Sequence, residues 1–338
     1  MNLQQDVSLK SYNTFGIDVN AAFMAEFNTR QELISLIKDG SCKDLPKLIL
    51  GGGSNILFTK NFNGLVLKNN IPGIEIYDDR GEVVLVKVGA GVKWHSLVTW
   101  CIGKGLGGIE NLSLIPGNTG AAPIQNIGAY GVEIKDTFHE LEAIDIISGN
   151  ATTYNRQQCE FGYRDSIFKK TLKGKVVITS VTFALSRNPV LHLSYGAIDQ
   201  QLKTMGITQP DVKAVSDAVC AIRRSKLPDP LIIGNAGSFF KNPEISESDI
   251  ETLRRQFPGI ISYPLTGGNV KVAAGWLIEQ CGWKGKVIGN TGSHKDQALV
   301  LVNYGNASGN EIWDLALTIQ KSVSEKFGVN IEPEVNVM

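Results

Sequence analysis

Residues Gly234–Pro243 read Gly-Asn-Ala-Gly-Ser-Phe-Phe-Lys-Asn-Pro, and Ser238 is the side chain among them with the plainest chemical use. It follows a glycine, with small residues before it and two large aromatics after it. Glycine admits positive φ and lets another group approach closely. A hydroxyl on a tight glycine turn, backed by Phe239 and Phe240, suits a reactive group in a partly buried pocket. The same serine could equally close a local turn bond. As the nucleophile of an acyl hydrolase it would lack the second glycine of a Gly-x-Ser-x-Gly elbow, because Phe240 stands there. None of the four histidines (His95, His139, His192, His294) is signposted as its base.

Three glycine-bearing stretches could hold a phosphate. Gly89-Ala-Gly91 lies between a strand and a helix, but Trp94 occupies the third glycine position of a dinucleotide fingerprint. A tight strand-to-helix turn is the better description. Gly51-Gly-Gly-Ser-Asn55 lies between two short apolar runs. Consecutive glycines can turn several backbone N–H groups to one side as an anion nest, and Ser54 and Asn55 add side-chain donors; a ligand-free glycine hairpin is the alternative. Ile115–Gly131 holds four glycines, three alanines and two prolines and no charge. A solvated loop normally carries charge, so this backbone is expected against a flat partner, either protein or a cofactor ring with its diphosphate.

The elements that must position these segments follow from periodicity and capping. Thr29-Arg-Gln-Glu32 reads as a capping box for a helix burying Leu33, Leu36 and Ile37. Lys47–Leu50 and Val83–Val88 read as strands, and Trp94–Lys104 as a helix ending at Gly105. Strands dominate from Gly131 to Phe183. Helices are expected over 211–224, after Ser246, over 273–281 and after Ser308, with strands over 298–303 and 331–337. Strands and helices mix without strict alternation, which favours an α+β fold over a doubly wound sheet. Composition shifts near residue 70 and near Lys226-Leu-Pro-Asp-Pro230 suggest domain boundaries at both, with the last strand returning to the first domain.

The chain has 338 residues, more than one comfortable core, with 43% hydrophobic and 20% charged residues. Basic and acidic residues balance at 33 each, so no global field favours nucleic acid or an anionic membrane. The five cysteines are widely spaced, as expected of reduced thiols in the cytoplasm, and no metal site is expected. The N-terminal residues lack a basic stretch followed by an apolar one, and no apolar run approaches the ~20 residues of a membrane span.

Taken together, Asn13-Thr-Phe15, Leu50–Asn55, Ile115–Gly131 and Gly234–Pro243 resemble the UDP-N-acetylenolpyruvoylglucosamine reductase family of bacterial flavoenzymes. Gly162-Tyr-Arg-Asp-Ser166, Ala273–Ile278, His294 with Gln297-Ala-Leu299, and Glu332-Pro-Glu-Val335 extend the likeness over nearly the whole chain. Leu193-Ser-Tyr195-Gly196 resembles the form of the family with a tyrosine loop over the substrate. Asn336 stands where members usually carry a basic residue. The resemblance implies a two-part FAD-binding module of the vanillyl-alcohol-oxidase type, over 1–70 (with 331–338) and 71–224, and a substrate domain over 225–330. Gly51, Gly52, Gly53, Ser54, Asn55, Ile115, Pro116, Gly117 and Ala121 would surround a dissociable FAD, with Ile127, Gly128 and Ile178 near the rest of it. NADPH would reduce the flavin and leave. The enolpyruvyl ether of a UDP-sugar would then occupy the same site in a monomeric enzyme and accept hydride at C3.

The same resemblance gives Arg164 and Glu334 to the enolate intermediate and makes Ser238 the proton donor to C2. Arginine's planar fork matches a carboxylate, whereas a carboxylate beside an enolate helps only if protonated or acting through a water. Tyr195, Lys226, Asn242 and Gln297, with Tyr130, would contact the substrate. Read without the resemblance, Arg164 could pair with Asp165 at the surface, and Glu334 could be a solvated edge residue. Arg223 and Arg224 would complement a helix C-terminus or add charge near Lys226. A related flavin oxidase on the same module and a non-enzymatic nucleotide-binding module are the other readings.

Overall fold

The computed structural model describes residues 3–39, 44–265 and 267–338, so Cys42 lies outside the described residues. The chain divides into two compact units. One comprises residues 1–7, 20–53 and 62–225, and the other residues 8–19, 54–61 and 226–338.

Besides a two-stranded ribbon of 128–129 with 132–133, the first unit holds two larger sheets. In one, Phe62–Asn69 lies between Asn20–Phe27 and Lys47–Leu50 and runs parallel to both. Apolar side chains from this sheet, Ala25, Phe27, Leu65 and Leu67, meet Leu33, Leu36 and Ile37 of helix α1 (Arg30–Lys38). The Thr29 hydroxyl accepts from the Glu32 N–H at 3.1 Å, as the capping pattern requires. The return arm differs: the Glu32 carboxylate accepts from Asn28 N–H at 2.7 Å, one residue before the cap.

The other sheet is antiparallel, in the order 151–155, 138–145, 176–186, 83–89, 74–80. Helix α2 (Trp94–Gly103) packs Trp94, Leu97, Val98 and Cys101 into its core. Trp94 is buried, and its indole N–H donates to the Leu112 carbonyl at 2.8 Å. That ring fills the space a dinucleotide fingerprint leaves empty. Helix α3 (Gly196–Thr204), which sequence periodicity did not reveal, packs Ile198 and Leu202 against Val215, Val219 and Ile222 of helix α4 (Val212–Lys226).

The second unit has an antiparallel sheet in the order 234–238, 300–303, 291–293, 287–288, and a three-stranded one in the order 244–246, 269–272, 262–264. Helices α5 (Glu247–Gln256), α6 (Ala274–Gln280) and α7 (Gly309–Phe327) complete it. Ser308 and Glu311 close a full capping box on α7, and Gly328 ends the helix in the left-handed region. The expected strand over 331–337 is shorter than the sequence suggests. Only Asn336–Val337 form a ladder, parallel to Ile56–Leu57. Pro333 has no N–H to donate, so the stretch before it cannot continue as an ordinary ladder. Residues 332–334 are instead held against 239–241 by Lys241 N–H to the Glu332 carbonyl (2.9 Å) and Glu334 N–H to the Phe239 carbonyl (2.8 Å).

Helices and strands therefore combine as α+β. Among the described residues, Cys101, Cys159, Cys220 and Cys281 are free thiols, no helix is long and apolar enough to cross a membrane, and no cluster of metal-ligating side chains occurs. Within the second unit, a Cβ on Gly309 would lie 1.7 Å from the Phe58 carbonyl oxygen. Neither the first turn of α7 nor the Phe58 backbone can yield cheaply. Gly309→Ala should therefore cost about 1–3 kcal/mol or more, read from urea unfolding midpoints at constant slope. A change below about 0.5 kcal/mol, the range of neutral surface substitutions, would show that this contact does not fix the segment.

Candidate active site

Parallel strands direct ligands to their carboxyl ends, and that is where the first glycine segment begins. Gly51 follows Leu50 at the end of its strand, with Lys68 in register beside Leu50. Gly53 takes φ +64°. A Cβ on Gly52 would lie 2.9 Å from Gly117 Cα and 3.1 Å from Asn118 Oδ1, so the two uncharged glycine segments meet backbone to backbone. Gly117 is itself bound to α2, its carbonyl accepting the Trp94 N–H at 2.9 Å. Ile115 is half-buried, and Pro116 and Ala121 are exposed. Behind them, Gly120 packs so closely on Ala90 that a Cβ would lie 2.5 Å from the Ala90 Cβ. Ile178 is buried in the antiparallel-sheet core, and its carbonyl accepts from the Asn69 amide at 2.9 Å.

The same unit carries Arg164, which adopts φ +51° in a turn bridged by Gly162 and Asp165. Its Nη2 donates to the Gly128 carbonyl at 2.7 Å. Asp165 pairs with Lys170 at 2.5 Å. Asn126 builds this corner. Its amide donates to Glu133 Oε2 (3.0 Å) and the Gly162 carbonyl (2.9 Å), while its Oδ1 accepts from Lys135 N–H (3.1 Å). Ile127 and Gly128 are thereby held beside the arginine turn.

Tyr130, at φ +51°, meets Tyr195 edge to face at a centroid distance of 5.5 Å. Its phenol is pushed up by burial and drawn down by a hydrogen bond from Arg223. Arg223 does not simply complement a helix end. Its Nε donates to the Leu114 carbonyl at 3.3 Å, burial holds the guanidinium below its ordinary value, and Arg164 opposes its charge further. Leu114, at φ +59°, donates its N–H to His95 Nδ1 at 3.0 Å. Burial and then Arg224 and Arg223 hold His95 below the ordinary histidine value, which keeps that nitrogen an acceptor. Two arginines, a half-buried phenol and a half-exposed tyrosine thus gather in one corner of the first unit, suited to an anionic ligand.

The second unit holds the other site residues. Between Asn235↔Val302 and Ser238↔Val300 the ladder shifts register, and Gly237 there takes φ +70°. Such a bulge re-aims the side chain that follows it. Ser238 is accordingly half-buried, while Phe239 and Phe240 are fully inside. The pairing of 239–241 with 332–334 brings Glu334 to the residue after Ser238. Asn55, at the end of the first glycine segment, donates its amide to the Glu334 carbonyl at 3.3 Å, and its own carbonyl accepts from Asn336 N–H at 3.1 Å. Asn242 Oδ1 accepts from Ala274 N–H (3.0 Å) at the start of α6, and Gln297 Oε1 accepts from Leu299 N–H (3.4 Å). Lys226 is exposed at the end of α4. Burial holds His294 below the ordinary value, and its Nδ1 accepts from Asp296 N–H at 3.3 Å. Ser54 and Asn55 fall in this unit, whereas Gly51–Gly53 fall in the first. Of the proposed catalytic trio, Ser238 and Glu334 share the second unit and Arg164 belongs to the first.

Comparison with known proteins adds the chemistry. Residues 229–338 match the C-terminal domain of UDP-N-acetylenolpyruvoylglucosamine reductase, and residues 21–154 match an FAD binding domain. The chain is 49% identical to the UDP-N-acetylenolpyruvoylglucosamine reductase of Pseudomonas putida over 99% of its length and 98% of that protein's. Against the reductase of Amoebophilus asiaticus it is 49% identical over the whole of both chains. The crystal structure of the Thermus caldophilus reductase superposes with a TM-score of 0.68 at 25% identity, covering 100% of this chain and 99% of that one. The first unit fits the cofactor of such a domain, since its glycine segments carry no charge and Lys68 stands under the first of them, donating to the Gly51 carbonyl at 2.7 Å. The chain belongs to the UDP-N-acetylenolpyruvoylglucosamine reductase family and is an FAD-dependent oxidoreductase.

Proposed function

We propose that the chain reduces the enolpyruvyl ether of UDP-N-acetylglucosamine to UDP-N-acetylmuramate with electrons from NADPH, a step of bacterial peptidoglycan precursor synthesis. The observation that carries this is the pairing of 239–241 with 332–334. It joins the residue after Ser238 to the main chain of Glu334, and Asn55 of the glycine segment donates to the main-chain carbonyl of the same glutamate, which supports a shared role. The relatives' shared name supplies the substrate. The segments 1–70 with 331–338, 71–224 and 225–330 serve in this proposal as two cofactor-binding parts and a substrate-binding part of a monomeric cytoplasmic enzyme.

Non-covalent FAD, when bound, supplies the hydride that reaches C3. Gly51–Asn55, Ile115–Gly117 and Ala121 hold it, with Ile127, Gly128 and Ile178 beside it. Gly51–Asn55 contains neither histidine nor cysteine, so no covalent attachment forms there. Arg164 takes the substrate carboxylate and stabilises the enolate charge as it develops. Its Gly128 anchor fixes one nitrogen of the guanidinium and with it the plane of the fork. Ser238 gives its proton to C2, where a carbanion-like centre is a strong enough base to take one from a hydroxyl. Glu334 acts on the same intermediate. Tyr195 and Lys226 contact the diphosphate, and Asn242, Gln297 and Tyr130 contact the rest of the substrate.

The purified protein should be yellow, should release its flavin on acid precipitation, and should oxidise NADPH only when the enolpyruvyl sugar nucleotide is present. Excess sugar nucleotide should inhibit, since both substrates use one site. A colourless protein that cleaves esters would support the hydrolase reading, and flavin that stays attached after acid would support a covalent flavin oxidase. In Ser238→Ala, flavin reduction by NADPH should be nearly unchanged while reoxidation by the sugar nucleotide slows about 10²–10⁴-fold. Rapid mixing separates the two steps, and normal reoxidation in that variant would remove Ser238 from the proton transfer.

A further inference from the structure

Lys68 is a charged residue in the central strand of a three-strand parallel arrangement. It is in register with Glu26 on one side and Leu50 on the other. Its half-buried side chain reaches the start of the glycine segment, and Nζ donates to the Gly51 carbonyl at 2.7 Å. Glu26 does not hold it: that carboxylate accepts from the Asn70 amide at 2.7 Å and only attracts the ammonium electrostatically. A second cation, Lys93 at the N-cap of α2, repels Lys68 across the same site and pairs in an isolated bridge with Asn118, the residue after Gly117.

We propose that Lys68 is a positioning residue for the cofactor diphosphate, fixing the Gly51–Gly52 peptide so that its N–H faces the ligand and placing a positive charge beneath it. In a trans peptide the C=O and N–H point in opposite directions. An ammonium bound to the Gly51 oxygen therefore directs the Gly52 N–H away from Lys68. A charge-assisted bond is also stronger than a neutral one and leaves the peptide polarised, its N–H the better donor. Two lysines near one anion-binding loop repel each other until an anion arrives, so the ligand relieves an existing cost. Burial already holds the Lys68 ammonium below its ordinary value, with Glu26 opposing that shift and Lys93 adding to it.

This rests on the FAD reading of the glycine segments, and the test separates the two. Apoprotein is titrated with FAD, and separately with ADP, a probe that carries the diphosphate without the flavin, by calorimetry. Lys68→Met keeps the aliphatic stem and should raise both dissociation constants about tenfold to a hundredfold, the range for losing a hydrogen bond to a charged group. Lys68→Arg should recover most of the loss. Wild-type affinity should weaken as the pH rises from neutral through the depressed ammonium value, because only the charged form serves the anion, whereas Lys68→Arg should stay flat. A purely structural lysine would lower the unfolding temperature of Lys68→Met without producing the pH dependence. Unchanged constants in a folded Lys68→Met, or a flat wild-type profile, overturns the proposal. Should Lys68→Met not fold, the wild-type and Lys68→Arg profiles decide alone. A wild-type protein that binds neither FAD nor ADP fails the FAD reading instead.

Discussion

The first unit depends on backbone meeting backbone where no side chain can stand. Gly52 lies against Gly117, and Gly91 lies against the main chain of Asn70, where a Cβ would come within 2.3 Å of a carbonyl carbon. These approaches set the two glycine segments side by side at the carboxyl end of the parallel strands. Dispersion between close-packed backbones is weak per contact. The geometry is nevertheless exacting, because any methyl group there would push the segments apart. An uncharged loop in that place gives up the solvation that charged side chains would bring and gains a surface of peptide dipoles that a ligand can use.

The second unit solves a different problem: how to present one polar side chain from a strand whose neighbours are aromatic. The bulge before Ser238 leaves that residue half-buried while Phe239 and Phe240 remain inside. Phe239 packs edge to face on both Phe15 and Phe240. The same residue's carbonyl accepts the Glu334 N–H. The aromatic core, the serine and the glutamate are thus set by consecutive atoms of one short strand. Pro333, which shortens the final ladder, leaves the Glu334 N–H as the donor that locks the register.

How much of this was legible in the sequence depends on whether the determining contact is local. The helices opened by Thr29, Ser246 and Ser308 were readable because a cap and its partner lie within four residues, and all three serve as N-caps. Even there the Glu32 return arm went to Asn28, a choice between adjacent N–H groups that spacing cannot resolve. Helix α3 is hard to read from sequence because its short apolar set is spread thinly over nine residues. The strand expected over 331–337 is shorter because Pro333 removes a ladder donor, and periodicity does not register a missing N–H. The trio Ser238, Arg164 and Glu334 came from family motifs and not from periodicity. No local pattern announces that residues 239 and 334 pair.

Lys68 and Asn126 are residues of the candidate site that the motifs do not supply, Arg223 is readable only as a charge at a helix end or near Lys226, and electrostatics explains why. A balanced chain of 33 basic and 33 acidic residues gives no global field, so a charge signal exists only where the fold gathers cations away from acids. Among the described residues no carboxylate forms an ion pair with Arg223, which instead spends its donors on the Leu114 carbonyl and the Tyr130 phenol. A guanidinium so engaged, with Arg164 adding like charge, is costly without an anion. In sequence, the available hint is a lysine directly after the apolar run Leu65–Leu67 and an arginine at the end of an amphipathic helix. Both patterns are common on protein surfaces. They become informative only once pairing fixes Lys68 beside Leu50 and packing turns Arg223 inward, so the cationic character of this site is a property of the fold and not of the composition.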